Sequence, residues 1–255
     1  MKETRSLLIS LVVCGVVLAM VSTLAAQTPK QGTAKVVRLK GAARYTTGNN
    51  VWQPLKVGDI VKPGTIIQTA DKSRVDLVLG DSSAPVARPV AGDMLTYQPN
   101  AEQNMVRMWE NTLLGIDKLA VMETGADEET LTQLDLKAGH IFGMVKKMSA
   151  ASKYEVKIPN GVAGIRGTVY DISAEGVIKV LSGSVVLAYV GPDGTVVTQV
   201  VMGLQEFDAR TGTMTPLPNP DKTGMEESVK DCRPPGRPPP HPGPRPPPPP
   251  VTDWK

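Results

Sequence analysis

Residues 153–158 read KYEVKI, with Tyr154, Val156 and Ile158 alternating against Lys153, Glu155 and Lys157. A period of two puts one set on each face of an extended chain, so this stretch is a half-buried strand. RVDLVL repeats the pattern with Val75, Leu77 and Leu79. The rest of residues 33–216 consists of short apolar runs broken by Gly, Asp, Asn and Ser. After Gly167 the runs GTVYDI, VIKVL, VVLAYV and TVVTQVVMG are separated by SAEG, SGS and GPDG, which reads as a meander with turn residues at each break. MVRMWENTLLGIDKLAVM (Met105–Met122) comes nearest to a helical stripe. Its Val, Ile and Leu content, with Gly115-Ile116-Asp117 in the middle, predicts strands and a turn instead. The expectation is an all-β fold. It is a meander of short strands forming a twisted sandwich or a solenoid-like domain, with no sizeable helix after the N-terminal segment.

The two ends of the chain differ from this body. Lys2 and Arg5 precede an uncharged apolar run, Leu7 to Ala26, that exits through small residues. That is the pattern of a secretory signal peptide over residues 1–26, with Ala25 and Ala26 as the cleavage region. The competing reading is an uncleaved anchor, since about twenty residues at ~1.5 Å each span one hydrocarbon core. Cys14 lies mid-run behind Val12 and Val13, which does not fit a lipoprotein site. At the other end, residues 217–255 read as a disordered tail. Within it, residues 232–250 hold twelve of the twenty-three prolines and so lack most of the donors a sheet needs. This segment is a stiff spacer, or a peptide for a partner with an aromatic groove.

Composition excludes several functions. The formal net charge is +3 with scattered basic residues, which is no nucleic-acid footprint. With Cys14 in the N-terminal run, Cys232, His140 and His241 are left, too few for a structural zinc site, which takes about four such ligands. Cys14 falls in the N-terminal run, so Cys232 would be left free or would form an intermolecular disulfide. His140 is the one histidine of the body, and its place between Gly139 and Ile141 suggests a strand residue at a turn. With a single possible base, no catalytic residues, cofactor or metal are expected. NGVAGIRGTVYDI (Asn160–Ile172) poses a choice among a phosphate loop, a catalytic arginine and a structural corner. Val169, Tyr170 and Ile172 follow Arg166-Gly167-Thr168 as strand residues rather than opening a helix, and no acid–base partner is marked nearby. A corner is expected, with glycines turning the backbone and Arg166 pairing with carbonyls or a carboxylate.

Three blocks in order resemble the FecR domain family. WQPLKVGDIVKPGTIIQTADKSRVDLVLGDSS (Trp52–Ser83) is similar to its opening, with Trp52, Gly58-Asp59, Gly64 and Thr69 at the motif positions. LTQLDLKAGHIFGMVKK, containing Gly139, resembles a second signature. KYEVKIPNGVAGIRGTVYDI, with Gly164, Arg166, Gly167 and Thr168, resembles a third. Ile158-Pro159 replaces the usual Thr-Pro, and Asp81-Ser82-Ser83 lacks the glycine of the usual turn. The resemblance implies that these residues are structural, that Trp52 is buried, and that the protein is an envelope sensor. In such sensors a cytoplasmic domain holds a sigma factor. Six residues before the apolar run are too few for one, so anti-sigma activity within this chain is not expected. The readings are an exported, non-enzymatic binding or sensor module of the bacterial envelope, periplasmic or secreted, whose partner is a protein or a glycan. The alternative is a signalling component acting with a separate transmembrane regulator. Membrane contact is expected only if the first segment stays uncleaved.

Overall fold

The computed structural model describes residues 29–49, 51–80, 104–123, 128–191 and 193–232. The first strands are β1 (Lys30–Gln31), β2 (Thr33–Lys40), β3 (Ala43–Thr46), β4 (Gln53–Pro54), β5 (Ile60–Val61), β6 (Thr65–Thr69) and β7 (Arg74–Gly80). Next come β8 (Asn104–Met108), β9 (Leu113–Glu123), β10 (Glu128–Ala138), β11 (His140–Met144), β12 (Lys153–Ile158) and β13 (Gly161–Ile165). The last are β14 (Val169–Ser173), β15 (Val177–Ser182), β16 (Ser184–Val190), β17 (Val196–Met202), β18 (Gln205–Asp208) and β19 (Thr213–Pro216), followed by a helix, α1 (Asn219–Cys232).

These strands form two sheets. The front sheet has ten strands and runs β17-β16-β13-β12-β10-β9-β6-β3-β4, with β1 added on β9. The back sheet has nine and runs β19-β18-β15-β14-β11-β8-β7-β2-β5. Both orders follow the chain almost without interruption, so the polypeptide builds the sandwich from one end to the other, crossing repeatedly between its layers. The all-β, sandwich and solenoid-like expectation describes this arrangement. β14–β15 and β16–β17 are hairpins within one sheet, but Gly183 carries the chain from the back sheet to the front. The one parallel pair, β10–β12, arises because β11 lies in the other sheet between them.

Alternation places the core as the sequence requires. Tyr154, Val156 and Ile158 face inward from β12, and Val75, Leu77 and Leu79 from β7, into one cluster between the sheets. Tyr154 and Tyr170 are both buried there, their hydroxyls 3.1 Å apart. In the Met105–Met122 stretch the turn falls at Glu110-Asn111, where Asn111 takes φ 54°, rather than at Gly115-Ile116-Asp117. The latter lies inside β9, where Asp117 is skipped in the β10 register and forms a bulge. The larger correction is α1. The sequence pattern predicts no sizeable helix there and a disordered tail over residues 217–255, yet residues 219–232 form a fourteen-residue helix.

Crossing between layers breaks the ladder and strands backbone groups that must find other partners. Buried threonines supply them. Thr168 Oγ1 accepts the Ser184 N–H at 3.2 Å and donates to the Ser184 carbonyl at 2.8 Å. Thr112 Oγ1 does the same for His140, at 3.2 and 3.1 Å. Thr69 Oγ1 accepts the Thr112 N–H at 2.9 Å and donates to the Trp109 carbonyl. Each hydroxyl staples one crossover to the next.

Gly183 occupies one of the tight corners among these. It has φ 85°, and an added Cβ would lie 2.5 Å from the Gly167 carbonyl oxygen and 2.8 Å from Thr168 Oγ1. Gly194, in the β16–β17 turn, has a similar φ of 81° with nothing within 4 Å of the same position. Gly183→Ala should therefore lower the melting temperature well beyond Gly194→Ala, which carries only the left-handed backbone cost of about 1–2 kcal/mol. Thermal unfolding followed by circular dichroism compares the two. Equal losses would mean that the stacked corner is not what constrains Gly183.

Candidate functional site

One row of residues crosses the outside of the back sheet. In register, Arg38 of β2 lies opposite Asp76 of β7, Asp76 opposite Arg107 of β8, and Arg107 opposite Phe142 of β11. Phe142 then faces Asp171 of β14, which faces Lys179 of β15. Apart from Phe142, the row alternates in charge along its length. Arg107 Nε donates to Asp76 Oδ1 at 2.7 Å and Nη2 to Oδ2 at 2.9 Å, a bidentate pair with side-chain exposures of 1% and 0%. Burial opposes the Arg107 charge, but the Asp76 hydrogen bonds and charge outweigh it and raise its pKa above the ordinary value.

α1 lies along this row. Asn219-Pro220 begins it, Asp221 occupies its first turn, and Met225, Ser228 and Cys232 form its buried stripe. They pack on Val37, Val78, Met105 and Phe142 of the sheet. Asp221 accepts from Lys179 Nζ at 2.8 Å. At the other end Asp231 meets Arg107 at 2.8 Å and Arg38 and Arg74 at 3.3 Å each. The spacing explains the match. The ten residues from Asp221 to Asp231 rise about 15 Å along a helix, and the three strand spacings from β15 to β8 make about 14 Å. A carboxylate in a last helical turn opposes the helix dipole. Here three guanidinium groups offset that. Burial works against the Asp231 charge, yet Arg107, Arg38 and Arg74 hold its carboxyl below the usual range.

Between α1 and the sheet a cleft of about 430 Å³ remains. His140, Asp171, Ser173 and Lys179 line it from the sheet, and Asp221 and Gly224 from the helix. The His140 ring stacks on Trp109 with centroids 5.7 Å apart. Burial, helped by the Lys179 charge, lowers the His140 pKa from its ordinary value. Burial pushes the Asp171 carboxyl up to about 7, against the pull of Lys179 and the nearby Trp109 indole. That indole nitrogen is buried, faces Asp171 and closes no hydrogen bond of normal geometry among the described residues. His140, Ser173 and Asp171 share the cleft, but no hydrogen bond joins them among the described residues. Ser173 Oγ instead accepts the Val177 N–H at 3.2 Å. A nucleophile–base pair needs that link.

A second feature lies on the outside of the front sheet. Val162, Val186, Val190, Val196, Val200 and Met202 of β13, β16 and β17 point outward and are exposed, Val196 by 76%. Those three strands carry no charged residue. Farther along the same sheet the strands are laced with polar pairs, Lys157–Asp117 at 2.7 Å and Gln133–Glu155 at 2.7 Å. Among the described strands none pairs with the far edge of β17.

The family model described as FecR protein matches residues 95–186. That matched stretch is similar to the FecR family. No curated protein matches the chain. Two solved structures resemble it, each described as a candidate anti-sigma factor from Parabacteroides distasonis. One has a TM-score of 0.37 at 11% identity, covering 59% of this chain and 57% of its own. The other has a TM-score of 0.32 at 12% identity, covering 45% and 51%. The chain thus spans about half the length of these solved chains.

The FecR segment contains the second and third motif blocks, while the Trp52–Ser83 block precedes it. Gly139 and Gly167 sit at crossovers with φ 76° and 63°, and Thr168 is the staple described above. Gly164 lies within β13. Gly58 and Gly64 take positive φ in turns, and Asp59 accepts the Lys56 N–H at 2.8 Å. Thr69 is the corresponding staple before the FecR segment. Two expectations need correction. Arg166 is exposed and its side chain pairs with nothing among the described residues; the corner is held by Thr168 because a short hydroxyl reaches the adjacent rung. Cys232 is 1% exposed, and burial pushes its thiol up to about 12, so in the docked helix it is a poor disulfide partner. Ala25 and Ala26 lie outside the described residues. The row Arg38–Lys179 and α1 were missed. The available signals were Asn219-Pro220 as a helix start and Met225, Val229 and Cys232 at helical spacing.

Asp171 gives this cleft a pH signature. Its folded pKa is raised, so between about 4 and 7 the folded state holds a proton that the unfolded chain has released. Stability from this group therefore falls as pH rises through that window. Asp171→Asn should raise the melting temperature by a few degrees at pH 7.5, with the gain vanishing near pH 4. Scanning calorimetry at both pH values measures it. A gain independent of pH would contradict the buried-carboxyl origin.

Proposed function

We propose that this protein is a non-enzymatic binding or sensor module of the bacterial cell envelope, exported by its N-terminal apolar segment and acting in the periplasm or outside the cell. The observation that carries this reading is the uncharged, outward apolar face of β13, β16 and β17, beginning inside the FecR segment. Contiguous apolar surface on an otherwise charged sheet marks an interaction site. Three strands about 4.8 Å apart and seven residues long make a patch of roughly 350 Å². A permanent dimer needs about 800 Å² per partner. The patch suits a smaller, reversible contact in which an uncharged, extended strand of another envelope protein adds to the free edge of β17. Among the described residues no helix is long and apolar enough to cross a membrane.

The second reading, a signalling component that acts with a separate transmembrane regulator of a sigma factor, is favoured by the FecR match itself. Both readings place the partner in the envelope, and they differ in what loss of the protein does to transcription. A photo-crosslinking residue at Val186 or Val200 should capture an envelope protein in intact cells, whereas one at Lys157 should not. Fractionation should find the protein outside the cytoplasm, with a mature mass beginning near Ala26 or Gln27. Cytoplasmic location, or equal capture from all three positions, would overturn the proposal. Altered expression of a sigma-factor regulon in a deletion strain selects the signalling reading.

A further inference from the structure

Trp52 stands at the surface, 37% exposed, rather than in the buried position that its motif implied. It lies beside the short edge strand β4, and the guanidinium of Arg44 on β3 sits over its ring, 4.5 Å from the centroid. These two residues line a pocket of about 530 Å³ on the front sheet, shared with Gln53, Gln68 and Asn111. No acidic side chain lines it. Arg44 has no carboxylate partner among the described residues. Arg38, Arg107 and Lys179 of the row beneath α1, by contrast, each meet a carboxylate.

The polar groups here are set to donate. Arg44 lies opposite Gln68 in register, and its Nε donates to Gln68 Oε1 at 2.9 Å. An arginine nitrogen can only donate, so the Gln68 oxygen is used and its NH₂ group is left to give hydrogen bonds. Gln53 lies opposite Tyr45 in register and accepts its hydroxyl on Oε1 at 3.0 Å, so its side chain belongs to the other face of the strand pair. The contact with the Trp52 ring holds the guanidinium in place, and its remaining N–H groups form the planar fork that matches a carboxylate. An exposed indole beside them offers an apolar surface to a ring.

We propose that this pocket binds an acidic saccharide, with Trp52 against the apolar face of the sugar ring, Arg44 on its carboxylate, and the Gln68 amide donating to a sugar oxygen. A neutral sugar would leave the unpaired guanidinium unanswered, and a simple carboxylate would leave the indole uncovered. The site lies on the opposite sheet from α1 and at the other end of the front sheet from β17. It stands independently of the envelope-protein contact proposed above.

Isothermal titration of the mature protein with digalacturonate, cellobiose and acetate tests the assignment. Digalacturonate should bind at least about tenfold more tightly than cellobiose, the equivalent of one charge-assisted contact, and acetate should give no heat at the same concentration. Arg44→Met and Trp52→Ala should each weaken digalacturonate by about tenfold or more, while their melting temperatures show that both variants remain folded. If either variant fails to fold, Gln68→Ala, at the periphery of the strand pair, serves as the substitute and should weaken digalacturonate measurably. Equal affinity for digalacturonate and cellobiose would overturn the charge assignment. Acetate binding as tightly as digalacturonate would overturn the saccharide. No heat from digalacturonate up to about 10 mM, weaker than ~3 kcal/mol of binding, would overturn the site.

Discussion

The constraint on which this structure depends is the crossing of one chain between two sheets. Every crossing leaves backbone N–H and C=O groups near the core without ladder partners, at a cost of about 1–3 kcal/mol for each one left unmade. Thr69, Thr112 and Thr168 answer this in one way, each hydroxyl accepting an N–H and donating to a carbonyl at a neighbouring crossover. A hydroxyl can do both at once, and threonine keeps it on a stiff, short side chain that suits strand ends. A longer or charged side chain could not serve in the same space. That is why Arg166, next to the staple, points to solvent instead of holding the corner.

The two outer faces follow from that frame in different ways. On the back sheet the crossings bring Arg38, Asp76, Arg107, Asp171 and Lys179 into a single row. Such a row would be an ordinary solvated surface if α1 did not cover it. The helix turns it into a partly buried charge network, with Asp76 and Arg107 taken out of water as a bidentate pair. Breaking such a pair on one side costs about 3–5 kcal/mol, because the other charge is left stranded. Covering the row also shifts the cleft groups, raising Asp171 and lowering His140. The front sheet has no such cover among the described residues. It is divided instead into a polar middle, an apolar end at β17 and an arginine–tryptophan pocket at β3–β4.

This division gives the proposed function its physical basis. A module that recognises other molecules needs uncovered surface with distinct chemistry, and the front sheet offers it at both ends. The FecR segment covers the middle of the sandwich and part of the apolar end. The pocket and α1 lie outside it.

How much could be read from the chain differs from element to element. KYEVKI and RVDLVL determined their strands and buried faces, because a period of two leaves one side of a strand for the core whatever its neighbours are. The same local logic made Arg166-Gly167-Thr168 a corner. α1 was only faintly legible, in Asn219-Pro220 and the spacing of Met225, Val229 and Cys232, because its buried stripe includes the polar Ser228 and it is held by Asp221 and Asp231 meeting cations on distant strands. The pairing of Asp76 with Arg107, the exposure of Trp52 and the burial of Cys232 depend on which strands lie side by side. By itself the sequence determined the strands, their inward faces and the glycines at their turns, all properties of neighbouring residues. Only the tertiary structure decided which charges meet and which faces stay open, because those contacts join residues that β-strand order, not chain distance, brings together.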